Sequence, residues 1–332
     1  MGSDILSCTF LTGLVHAPDF DVVAVVTQPD RERGRHMRIV PGPVKELALM
    51  HCKPVLAPEK VNNPDFLATL RELQPDLIVV MAYGQFLGKT LLAMPRLGCV
   101  NLHVSILPQY RGAAPIQYSI MNGDAETGVT AMMMDIGMDT GDILGVVKRK
   151  IEPTDTTGSL SLRLAMCGTD LMLEVLRRLA AGTSVRTPQN HAEASYSPKI
   201  TKEQTLVEWS MPAVKIERLI RALNPKPSCH TFLPPRADTP CGASPGALLK
   251  ILRSAVEPRP ENAKPDAPPG TILMLKRGPL IATGDGQALR LLEVQPEGKP
   301  RPMSGSDFSN GYLNKLAVGD RFFPGLSSVL QK

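Results

Sequence analysis

Asp21-Val-Val-Ala-Val-Val-Thr27 and Asp76-Leu-Ile-Val-Val-Met-Ala-Tyr83 are near-continuous apolar runs. That pattern is expected of strands buried on both faces. Between them Asn63-Pro64 marks a helix start, with Asn as cap and proline at the first helical position. Phe66, Leu67, Leu70 and Leu73 then share one face. Further strands are expected at 99–103, 128–134 and 143–151. A long helix is expected over 159–181, closed by Gly182. This alternation predicts a Rossmann-like, mostly parallel α/β sheet with helices on both faces.

After Gly182 the texture changes. Residues 183–203 read as a polar linker, and 212–223 as one amphipathic helix carrying Val214, Ile216, Leu219, Ile220 and Leu223. Short β-rich runs follow at 271–275, 280–283 and 288–294, punctuated by Gly-Asp-Gly and Gly-Pro turns, which predicts a small C-terminal β-barrel of OB-like type. The expected organisation is therefore a catalytic domain over 1–182, the 183–203 linker, and a second domain over 204–332. The proline-rich stretches 233–245 and 257–270, within the 233–268 region, read as exposed loops between strands.

A length of 332 residues suits two domains, and 43% hydrophobic with 21% charged residues is ordinary globular usage. No run reaches the roughly 18 apolar residues of a membrane span. Met1-Gly2-Ser3-Asp4 carries no secretory pattern, so a cytoplasmic monomer is expected. The 6 cysteines are scattered, with no C-x-x-C, which predicts buried thiols and no metal site. Charge is uneven: from Lys199 onward 19 of the 37 Lys and Arg stand against 12 of the 32 Asp and Glu. The second half is thus basic, which suits a polyanionic partner.

The chemistry concentrates in 98–115. Asn101 and His103, spaced i, i+2 at a strand end, point to the same side. Ligands of open α/β sheets bind at strand C-termini. An amide donor and an imidazole aimed at one point can stabilise an oxyanion and move a proton. An isolated Asn-x-His is more often a turn cap beside a satisfied histidine. Here Ser105-x-Leu107-Pro108 and Arg111-Gly-Ala-Ala-Pro115 follow, fixing a loop against the pair. Asp139, in the Gly-bracketed turn 135–144, is either an ordinary turn aspartate or the partner that orients His103.

These stretches, with Thr27-Gln-Pro-Asp-Arg31, Gly34-Arg35, Pro43-Val-Lys45, Ala82-Tyr-Gly84, Gly123-Asp-x-Glu-Thr-Gly-Val-Thr130 and Asp139-Thr-Gly-Asp-Ile143, resemble the methionyl-tRNA formyltransferases. So do Ile220-Arg-Ala-Leu-Asn-Pro225, Ala282-Thr-Gly-Asp-Gly286, Leu292 to Gly298 and Asn310-Gly311. The likeness spans nearly the whole chain.

By that resemblance Asn101, His103 and Asp139 form the catalytic set, and Ser105, Ile106, Leu107 and Pro108 line the tetrahydrofolate site. The implied reaction carries the formyl group of the co-substrate 10-formyltetrahydrofolate to the α-amino group of methionine on initiator tRNA, with no metal. The loop Asp30 to Arg38 holds 4 arginines in 9 residues. Composition alone makes it a solvated loop; the resemblance makes Arg35, and more weakly Arg38 and Lys45, contacts to the tRNA.

Four departures stand out. The family opens with a short apolar strand, whereas this sequence begins at Met1-Gly2-Ser3, so a central strand is expected to be missing and its neighbours' backbone groups unpaired. Val104 replaces a small residue or proline, and Lys226 stands where tryptophan is usual. His36-Met37 interrupt the basic loop. The competing readings are a formyl transferase acting on an amino sugar, a formyltetrahydrofolate hydrolase, and a catalytically weak RNA-binding relic.

Overall fold

The structure is a computed structural model that describes residues 1–33, 38–234, 246–264, 266–312 and 316–322. The chain divides into two compact units. One comprises Met1–Ile116, Ala125–Ile151 and Ser159–Pro198; the other comprises Gln117–Asp124, Glu152–Gly158 and Lys199–Lys332.

In the first unit Val25–Val26 pairs in parallel with Val55–Leu56, and Ile78–Val80 pairs in parallel with Cys99–His103. Glu126–Met133 and Ile143–Lys150 extend the second pair, both antiparallel, into a four-stranded sheet. The loop at 134–142 is too short for a parallel crossover, so Ile143–Lys150 must return antiparallel. Asn63 caps the Pro64–Glu72 helix by accepting from the Asp65 N–H at 2.9 Å. Leu70 is buried, and Phe66, Leu67 and Leu73 pack against the same cluster as Ile78 and Val80. The Thr157–Ala180 helix buries Leu164, Met172 and Val175 completely. It approaches the Cys99–His103 strand at Gly168, where a Cβ would lie 3.0 Å from the Leu102 side chain. That contact fixes the back of the strand whose end carries Asn101 and His103.

The Asp21–Thr27 run contributes only the two paired residues Val25–Val26. On its other side lie Met1, Gly2 and Ser3. The Met1 amine donates to Val79 O at 2.6 Å, Gly2 N–H to Val26 O at 3.0 Å, Met81 N–H to Met1 O at 3.0 Å and Ser3 N–H to Ala82 O at 3.2 Å. These residues therefore occupy one end of the central row and satisfy both neighbouring strands there. The rest of the row is a cavity of about 130 Å³ lined by Phe10, Leu11, Val22, Val25, Leu77 and Val79. Where Met1, Gly2 and Ser3 lie, the neighbouring strands' backbone groups are paired, against the expectation that they lack partners. Burial pushes the Met1 amine down from 8.0 to about 5.

The second unit is built on an antiparallel sheet in the order Cys229–Phe232, Leu248–Glu257, Ala288–Pro296, Leu280–Ala282, Ile272–Met274, with Met303–Ser304 also on Ala288–Pro296. The Ala213–Ala222 helix buries Ile216 and Ile220 against Trp209, Leu249 and Leu291. Trp209 Nε1 donates to Thr231 Oγ1 at 3.2 Å, so the one tryptophan is satisfied in the core. Of the first proline-rich stretch, 235–245 lies outside the described residues. The second begins one residue later than expected, because Glu257 closes a strand. Its carboxylate holds the buried Arg290 guanidinium at 2.8 Å, and Arg290 also donates to the carbonyls of Lys276 and Gly278.

Candidate active site

Pleating of the Cys99–His103 strand sets Asn101 and His103 on one side, with His103 buried and Asn101 half-buried. The chain then turns tightly. Ser105 Oγ donates to Gln109 O at 2.6 Å, Thr130 Oγ1 donates to Ser105 O at 2.7 Å, and Leu107 N–H donates to Thr130 Oγ1 at 3.1 Å. The turn delivers Tyr110 back to the histidine, and His103 Nε2 meets Tyr110 O at 2.9 Å. A carbonyl only accepts, so Nε2 carries the proton. His103 Nδ1 is left facing Asp139 Oδ2 at 3.6 Å.

Asp139 reaches that position from the loop joining Glu126–Met133 to Ile143–Lys150. Its φ of 54° lies in the left-handed region, unusual for a residue with a side chain. Gly112 N–H donates to Asp139 Oδ2 at 2.9 Å, and Asn101 Nδ2 approaches Oδ1 at 3.4 Å. Asp135 Oδ1 braces the same loop through Gly137 N–H at 3.0 Å and Thr140 Oγ1 at 2.6 Å. Asn101, His103, Asp139, Gly112, Ala82 and Tyr83 line one cleft of about 450 Å³. That volume suits a small-molecule ligand. An amide donor, a histidine and a carboxylate therefore converge on a single space at strand ends.

One further residue comes into this site from a segment that reads as a plain linker. Gln189 Nε2 donates to Asp139 O at 2.9 Å and to Gly141 O at 2.7 Å. Its Oε1 accepts from the buried Arg111 guanidinium at 2.6 and 3.2 Å. Proximity to the Tyr196–Ser197 strand, which pairs with Arg111–Gly112, is what brings the segment here. No periodicity in 183–203 marks Gln189.

The other expected site residues fall elsewhere. Ser105, Ile106, Leu107 and Pro108 form the turn that directly follows Val104, itself a residue of the cleft wall. Arg35 lies outside the described residues, and Arg38 begins the Arg38–Val40 strand, which pairs with Arg31–Arg33. Lys45 Nζ is bound to Asp30 Oδ2 at 2.6 Å, pinning the base of that hairpin. Among the described residues no cluster of three or more His, Cys, Asp or Glu is placed to hold a metal ion.

Tyr83 offers a test of the cleft wall. Its hydroxyl is buried with no hydrogen-bond partner among the described residues, and burial pushes the phenol up to about 12. A paired buried hydroxyl would contribute about 1 kcal/mol, whereas an unpaired one costs its desolvation. Tyr83→Phe should therefore leave unfolding stability unchanged or raised in a urea titration. A loss above about 1 kcal/mol would reveal a bond that the Tyr83 oxygen makes.

Residues 12–176 match the Formyl transferase family, and residues 199–313 match the Formyl transferase, C-terminal domain family. The methionyl-tRNA formyltransferase of Symbiobacterium thermophilum is 44% identical over 98% of this chain and 94% of its own. The chain belongs to the methionyl-tRNA formyltransferase family. The family member from Geotalea daltonii is 42% identical, with 96% of each chain covered. Among solved structures, the sugar 3N-formyl transferase WlaRD, determined in the presence of dTDP and 5-N-formyl-THF, superposes with a TM-score of 0.60 at 17% identity, covering 90% of this chain and 96% of that one. HypX from Aquifex aeolicus, in complex with tetrahydrofolic acid, gives a TM-score of 0.57 at 19% identity, over 82% of this chain and 44% of that one. At those identities the likeness is one of fold. The methionyl-tRNA formyltransferase relatives cover both units, including the second, basic half.

Proposed function

We propose that this chain transfers the formyl group of 10-formyltetrahydrofolate to the α-amino group of methionine on initiator tRNA, with Asn101, His103 and Asp139 as the catalytic residues. The observation that carries the reading is their convergence on one cleft, with Asp139 held by Gly112 N–H. In the reaction the amine nitrogen bonds to the formyl carbon and the bond from that carbon to N10 breaks. Asn101 Nδ2 supplies a donor to the oxygen as it becomes an oxyanion, and His103 joins it through Nδ1 once that nitrogen has taken up a proton. Asp139 stabilises a proton on His103 Nδ1, so the pair takes the amine's proton, directly or through water, and N10 of the departing tetrahydrofolate is protonated. The cleft supplies hydrogen-bond donors from side chains and backbone beside apolar walls, the mixture a folate head requires. In this reading Ser105, Ile106, Leu107 and Pro108, in the turn that carries Tyr110 to His103, line the tetrahydrofolate site.

The tRNA reading assigns residues 1–182 to catalysis and 204–332 to tRNA binding, with Arg35, Arg38 and Lys45 reaching the tRNA from the first domain. Guanidinium groups match phosphate geometry, and a basic second half supplies the non-specific attraction. No helix among the described residues is long and apolar enough to cross a membrane; the working form assigned here is a cytoplasmic monomer. Arg35→Ala should raise the KM for tRNA and lower the slope of log KM against log salt by about one unit, with the folate KM unchanged. Equal effects on both substrates would reassign the loop to fold stability.

A further inference from the structure

Asp139 is held in a backbone conformation that few residues with side chains adopt, and the loop around it is short. Something must keep its carboxylate aimed at His103. Gly112 N–H does so from the side-chain end. At the backbone end Gln189 holds the carbonyls of Asp139 and Gly141, at 2.9 and 2.7 Å.

The orientation of that amide is fixed by chemistry. Carbonyls only accept and a guanidinium only donates, so Nε2 must face the loop and Oε1 must face Arg111. Both Gln189 donors and its acceptor are used, and the residue is 7% exposed. Arg111, 2% exposed, is anchored in turn by its backbone, Arg111 N–H donating to Ser195 O at 2.9 Å, and by a contact from Nη2 to His191 Nδ1 at 3.0 Å. The Gln189 segment has its own tether, since Thr187 and Ile143 exchange backbone bonds at 2.8 and 2.9 Å. The Arg111–Gly112 pair therefore grips Asp139 twice, directly through Gly112 and indirectly through Gln189.

We infer that Gln189 is a positioning residue for the transfer step, setting the Asp139 carboxylate against His103. The inference rests on the reading of Asp139 as catalytic and adds a residue to it. No other side chain of this length both donates twice and accepts. Glutamate would keep the Arg111 contact while turning an oxygen toward two carbonyls. Methionine would fill the space and donate nothing. Small displacements of a catalytic group cost rate far more than affinity.

The test is a double-mutant cycle on the full chain, assayed with both substrates. Gln189→Met is expected to lower kcat about 10–30-fold, with both KM values within about twofold and the pH–rate profile displaced, because the His103–Asp139 geometry changes. Gln189→Glu, still bound to Arg111, should show the same kcat loss with a thermal midpoint close to that of the parent chain. In an Asp139→Asn background Gln189→Met should cost less than about twofold more. Parental kcat in both Gln189 variants, beside a full loss in Asp139→Asn, would overturn this assignment alone. A Gln189 effect that multiplies fully with Asp139→Asn would overturn it too. Parental turnover in Asp139→Asn would overturn the catalytic reading and this assignment together.

Discussion

His103→Ala and Asn101→Ala are each expected to slow formyl transfer by about 10²–10³-fold, with the KM values for folate and tRNA largely kept. Both side chains stand at the end of one strand and line the cleft that Asp139 also lines. Their donors match a charge that develops only as the formyl carbon becomes tetrahedral. Interactions made only at that stage appear in kcat. His103→Ala also leaves Tyr110 O without its 2.9 Å partner, so its folding must be checked by circular dichroism beside the assay. Asn101→Ala is the cleaner variant, since the Asn101 side chain meets Asp139 only through a long 3.4 Å bond. Turnover within about threefold of the parent in a folded Asn101→Ala chain would remove Asn101 from the mechanism.

A second large effect is expected from one methyl group. In Gly141→Ala the new Cβ would lie 3.0 Å from the Met133 carbonyl carbon and closer still to its oxygen. Backbone faces backbone there, so no side-chain rotation can relieve the clash. Met133 is also tied to this loop by its N–H, which donates to Asp142 O at 2.8 Å. The loop must open, and Gly141 O leaves the Gln189 amide as it does so. Overpacking of this kind costs about 3 kcal/mol or more where the neighbour cannot move. Urea unfolding should show that loss, together with a fall in kcat well beyond tenfold. A variant that folded and turned over like the parent would mean that the Asp139 loop is free to shift without consequence.

Much of the scaffold was readable from pattern. The Cys99–His103 strand coincides with its expected bounds, because an apolar run bounded by Gly98 and the following turn leaves little choice. Asn63 at its helix start and the long helix ending near Ala180 follow from local capping and periodicity. Pairing was less legible. The seven-residue run at Asp21 to Thr27 keeps only two ladder residues, since a strand is completed by neighbours that its own sequence does not encode. Leu248–Glu257 escaped notice because Lys250 and Arg253 interrupt its apolar positions and a proline-rich stretch precedes it. At the site, Asn101, His103 and Asp139 could be named from motif spacing. Gln189 could not, for its role depends on Arg111, 78 residues away. The turn at Ser105 to Pro108 was legible as a motif, and local bonds through Ser105 Oγ and Leu107 N–H fix its shape.

The most direct measurement follows a labelled formyl group from 10-formyltetrahydrofolate in a single turnover with methionine-charged initiator tRNA. The purified chain should yield N-formylmethionyl-tRNA and tetrahydrofolate in equal amounts, and Asp139→Asn should form product at least about 100-fold more slowly. A folded chain that binds both substrates yet transfers nothing, or an Asp139→Asn variant as fast as its parent, would contradict the account.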